Sequence, residues 1–109
     1  SHIRVLIMNK LTIIQLTQPD SVVPKTTVSK NFFKSSNLKT MLFSFAKGEE
    51  LSNHSSKKDA ILHVLNGNGT FATEQETVSL SEGTWIHIPA ELTHRVEAGT
   101  ELHFLFYLV

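Results

Sequence analysis

Gly48-Glu-Glu-Leu-Ser-Asn-His54-Ser-Ser-Lys-Lys-Asp59-Ala60-Ile-Leu-His63-Val-Leu-Asn-Gly67 and Gly83-Thr-Trp-Ile-His87-Ile-Pro89-Ala-Glu-Leu-Thr-His94 are two stretches with related frames. Each opens on a glycine and carries a histidine further on, at a fixed distance from a second glycine or a proline. Such punctuation sets where strands stop and turn, because glycine relieves steric limits in tight turns and proline cannot donate to a β-ladder. The segments between the marks are short, apolar and β-branched. The spacing predicts strands joined by turns.

Outward from these frames the same pattern holds. Lys39 to Phe45 alternates, with Met41, Phe43 and Phe45 on one face and Leu42 and Ser44 on the other. Ile61 to Leu65 is apolar on both faces apart from His63, as a central strand covered on both sides requires. Asn66-Gly67-Asn68-Gly69 marks a turn, and Thr70–Thr73 with Thr77–Leu80 reads as a hairpin. Thr84–Ile88 is a strand closed by Pro89, and Leu102 to Leu108 is a final strand with few charges. Leu11–Leu16 is a β-rich run ended by the turn signal Gln18-Pro19-Asp20. Residues 17–37 are polar and read as irregular edge structure around a short strand at Thr27–Ser29. No segment reads as a helix. The fold class is all-β, a sandwich or barrel of short strands.

The two frames resemble the two sequence motifs of the cupin family. The family's first motif reads G-x5-H-x-H-x3-E-x6-G and its second G-x5-P-x-G-x2-H. Gly48, His54 and Gly67 fall in register with the first, and Gly83, Pro89 and His94 with the second. Ser56 stands in place of the second motif-one histidine, Ala60 in place of the glutamate, and Glu91 in place of the motif-two glycine. The resemblance spans roughly residues 38–109 and implies a double-stranded β-helix, the jelly-roll or RmlC-like barrel, of two antiparallel sheets. It also implies an inward-facing site at His54 and His94, in which two of the family's four usual metal ligands are absent.

Five of the six histidines lie between residues 54 and 103, and imidazole is the commonest metal ligand near neutral pH. His54 and His94 are the candidate metal ligands, with Asp59, His87 or His103 as a possible third. Ser56, Ala60, His87, Phe43 and Phe45 complete the expected ligand pocket. His63 lies an odd number of residues from Ala60 and should face away. A two-histidine site holds metals loosely, since catalytic zinc sites use three protein ligands. The expected cofactor is therefore either a weakly held divalent metal (Zn, Ni, Fe or Mn) or none. Three functions stay open: binding of a small ligand or metal; a metal-dependent dioxygenase or isomerase acting on a small organic substrate, as the resemblance implies; and a non-catalytic sensor or regulatory module.

Composition narrows the partners. Net charge is zero, which argues against nucleic acid, because phosphate binding needs a basic excess. No apolar run approaches the ~20 residues of a bilayer span, so no membrane partner is expected. There is no cysteine, which is compatible with a reducing cytoplasm. Charge is nonetheless uneven: residues 1–58 carry nine Lys/Arg against three Asp/Glu, and residues 59–109 carry one against seven. Strands of both halves interleaved in one barrel would mix these charges; a basic N-terminal segment packed on an acidic half, its own or a partner subunit's, would pair them. The resemblance implies a homodimer with the N-terminal strand on its neighbour. Residues 1–7 precede Met8 and read as an upstream segment, leaving residues 8–109 as the single domain.

Overall fold

Alternation in the sequence becomes two-sidedness in space. The computed structural model describes residues 3–8, 10–17 and 22–109, with side chains from residue 10 onward; Gln18-Pro19-Asp20 lies outside the described residues. These hold eleven strands: β1 (Ile3–Met8), β2 (Leu11–Leu16), β3 (Thr27–Lys34), β4 (Lys39–Phe45), β5 (Glu50–His54), β6 (Ala60–Asn66), β7 (Gly69–Ala72), β8 (Thr77–Leu80), β9 (Trp85–Ile88), β10 (His94–Ala98) and β11 (Leu102–Leu108). One sheet has the order β5-β10-β7-β8, the other β3-β4-β11-β6-β9, and β1 and β2 form a separate hairpin. Every pairing is antiparallel. From β4 to β11 the chain passes back and forth between the two sheets, which is the winding of a double-stranded β-helix.

Register explains the core. Across β4 and β11, Met41 faces Phe106, Phe43 faces Phe104 and Phe45 faces Leu102; across β11 and β6, Phe104 faces Val64 and Phe106 faces Leu62. These side chains point between the sheets, where Phe45, Leu62 and Phe104 are wholly buried. The opposing sheet contributes Val96, Phe71 and Leu80 to the same cluster. Phe43, Phe45 and Phe104 pack with rings 5.0–5.8 Å apart, stacked and edge-on. Each such ring stabilises the fold by ~1.5–3 kcal/mol through area removed from water. The outer face of the five-stranded sheet is also covered at its centre, where Leu42, Ser44, His103 and Leu105 are buried. Farther out, Trp85 on the edge strand β9 is 57% exposed.

Turn residues sit where the frames put them. Gly67 has φ +96°, and a Cβ there would collide with the Glu101 carbonyl; only glycine fits both constraints. β9 ends at Ile88, just before Pro89. The N-terminal third differs from expectation. Thr27–Lys34 is an eight-residue strand rather than a short one. It is an edge strand held by its ladder to β4, with Phe32 bulged out of register between Asn31 and Phe33, so its polar residues need no apolar face. Before it, Ile3–Met8 pairs with Leu11–Leu16. Among the described residues no helix is long and apolar enough to cross a membrane.

Candidate functional site

His54 ends β5, His94 begins β10, and the two residues are direct partners across that pair of strands. Their rings lie 4.2 Å apart, tilted by 59°. His94 is buried to 1% exposure and His54 is half-buried, so one ring forms the floor and the other the rim. Phe71 stacks on His94 at 5.4 Å, and Phe106 lies 6.4 Å from both histidines. The pair therefore sits against aromatic walls from both sheets.

The hydrogen bonds fix which nitrogen is available. His94 Nδ1 lies 2.9 Å from the Leu92 carbonyl and His54 Nδ1 3.3 Å from the Ser52 carbonyl. A carbonyl can only accept, so each Nδ1 carries the proton and donates. In the neutral ring that leaves Nε2 as a bare lone pair, the form suited to a metal or to a hydrogen-bond donor. His94 Nε2 is buried with no hydrogen-bond partner. Burial away from water pushes the His94 pKa below its ordinary 6.5; the Leu92 carbonyl opposes that shift, and the neighbouring His54 reinforces it. His94 is thus held neutral near pH 7.

The other candidates go elsewhere. Asp59 and His87 pair with each other, Nε2 to Oδ2 at 2.8 Å, and Asp59 Oδ1 accepts the Ala90 N–H at 3.0 Å. Hydrogen bonds from the His87 ring and from Ala90 hold the Asp59 carboxyl below its usual value. His87 faces outward because its partner Ile61 alternates with the inward Leu62. His103 is also on the outer face: its Nδ1 lies 2.9 Å from Ser44 Oγ and its Nε2 3.2 Å from Glu101 Oε2. Neither histidine nor Asp59 completes a cage, and among the described residues no group of three His, Cys, Asp or Glu is placed to hold a metal ion. Ser56 Oγ accepts the Lys58 N–H, and Ala60 is sealed in the hydrophobic core. Phe45 is therefore core rather than pocket lining, while Phe43 is partly buried in the aromatic cluster. His63 pairs with Leu105 and Trp85 on the outer face, away from the site.

Sequence reasoning missed two groups. Phe71 and Phe106 wall the histidine pair, but their positions depend on which strands become neighbours across the two sheets, which no local pattern states. The Ser44–His103–Glu101 chain was missed because Glu101 lies in a turn. Its other oxygen accepts the Val22 N–H at 2.6 Å, and that bond, with the one from His103, holds its carboxyl below the usual range. This network ties the N-terminal segment to the barrel.

The arrangement fits the four-ligand cage of the motifs only in part. Two imidazole nitrogens are present; the slots of the other two ligands hold Ser56, engaged elsewhere, and Ala60.

Comparison with known proteins agrees with the fold. The family model described as "Cupin domain" matches residues 41–109. No functionally curated protein matches the chain. Among solved structures, a cupin superfamily protein from Desulfitobacterium hafniense superposes with TM-score 0.78 at 20% identity, covering 82% of each chain. A conserved Streptococcus pyogenes protein of unknown function gives TM-score 0.74 at 26% identity, over 93% of this chain and 96% of that one. A cupin 2 conserved barrel domain protein from Leptotrichia buccalis gives TM-score 0.75 at 34% identity, over 82% of this chain and 43% of that longer one. With the family model matched across the barrel strands from β4 to β11, the chain belongs to the cupin family.

Proposed function

We propose that this cupin domain is a binding module whose ligand is gripped by the Nε2 atoms of His54 and His94. The observation that carries the reading is His94 Nε2, a buried acceptor without a partner. Such an atom costs ~1–3 kcal/mol unless something donates to it or coordinates it. His54 at the rim gives a second nitrogen and a route in. The aromatic walls suit a small organic body, and the bare lone pairs suit its N–H or O–H donors. A divalent cation is the second reading, favoured by the two carbonyl-anchored imidazoles. With two protein ligands it would be held loosely, and catalysis as a dioxygenase or isomerase would need the ligands that Ser56 and Ala60 do not supply.

Calorimetric titration of the intact protein with Zn, Ni and Mn tests the site. Weak binding that disappears in both His54→Ala and His94→Ala is expected, as is loss on acidification, where protons compete for imidazole. Tight binding that survives both substitutions would place the metal elsewhere. If no metal binds while small hydrogen-bond donors shift the His94 ring resonances, the organic-ligand reading alone stands.

A further inference from the structure

The hairpin of β1 and β2 does not join either barrel sheet. Where it meets the barrel it leaves a cleft of about 380 Å3, walled by Leu11, Ile14, Phe32, Phe33 and Leu38, with Lys10 at its edge. That volume falls within the roughly 300–1,000 Å3 of small-ligand sites. Thr40 also reaches the cleft, but its hydroxyl already donates to the Phe33 carbonyl at 3.1 Å. Apart from Thr12 and Thr40 the walls are hydrocarbon, and the one charged group is a cation.

Two further features concern that cation. Lys10 stands in the tight connection between β1 and β2 at φ +70°, a conformation that disfavours any residue with a Cβ and that glycine adopts freely. A positive φ is what a two-residue hairpin connection requires, and it leaves the lysine beside the cleft. Residues 1–48 carry seven Lys/Arg and a single acidic residue, Asp20, and Lys10 has no ion pair among the described residues. We propose that this cleft is a second binding site, separate from the histidine pair, for a small amphipathic anion. The ligand class is a medium-chain carboxylate, its chain among Leu11, Ile14 and Phe33 and its head group on Lys10.

Calorimetry of the intact protein with decanoate, decanol and decyltrimethylammonium, each below its micelle concentration, tests this. Decanoate should bind most tightly, decanol roughly fivefold to tenfold more weakly for want of the ion pair, and the cation most weakly. Lys10→Gly is the decisive variant. It relieves the backbone and removes the charge, so thermal stability should hold or rise while decanoate affinity falls to that of decanol. Leu11 is 61% exposed, so Leu11→Asp should fold with an unchanged circular dichroism spectrum and lose decanoate. Binding of decanoate that is unaltered by both variants would overturn the proposal. So would ligand-induced NMR shifts centred on His54 and His94, or an absence of binding in a protein whose cleft is covered by a second copy on sedimentation.

Discussion

Glu91 has φ +71°, a left-handed backbone at the motif position where cupins usually carry glycine. Its N–H is pinned by the Ser56 carbonyl at 2.7 Å, so the conformation is imposed by the pairing of two loops. Glu91→Gly should therefore stabilise the fold by up to ~1 kcal/mol, the relieved strain exceeding the added entropy of the unfolded chain; denaturant melts would show it. His94 gives a pH signature. Its folded pKa lies below 6.5, so its contribution is fully present above that value. It is lost as pH falls from 6.5 toward the lower folded value, because the unfolded chain takes up the proton first. Melting temperature should fall on acidification through that window, and the step should vanish in His94→Phe. At this scale much of the site was legible. His54 and His94 stood at fixed distances from glycine and proline, and those marks keep register. Asp59, His87 and His103 were not separable as ligands, because the face of a side chain near a strand end depends on bulges and lead-in loops that periodicity does not reveal.

Strands explain what the residues could not. β11 was readable because Leu102, Phe104 and Phe106 alternate while His103 and Leu105 fill the other face, and both faces are buried. Of the two strands that carry the histidine pair, β5 has little alternation to see, with Ser52 and Asn53 both exposed, and β10 alternates strictly but over only five residues, with charged Arg95 and Glu97 on its outer face. Their pairing comes from the sheet, not from their own composition. The turn between β6 and β7 is the element most sensitive to a single change. Gly67→Ala would place a methyl against the Glu101 carbonyl at a positive φ, and a loss of about 2 kcal/mol or more is expected in chemical denaturation. Gly48 and Gly83 share the positive φ but have open space around them, so alanine there should cost less.

Across the whole molecule, the hairpin is the part that stands outside both barrel sheets. A two-stranded ribbon is marginal by itself, and on this one Leu11 and Ile13 are 61% and 46% exposed. We expect a second copy to cover the part of that surface at Ile13, which does not line the cleft beside Lys10, with the basic N-terminal half facing acidic residues of its neighbour. Deleting residues 1–17 should then weaken self-association in sedimentation equilibrium while the barrel still folds; an intact chain that stays monomeric at high micromolar concentration would end that expectation. Trp85, the chain's single tryptophan, sits half out of the protein on the edge strand β9, with His63 as its cross-strand partner. The ultraviolet emission of this protein therefore belongs to its rim. Filling the space between His54 and His94 leaves that indole in the same water, whereas anything that settles against β9 shifts its colour to the blue.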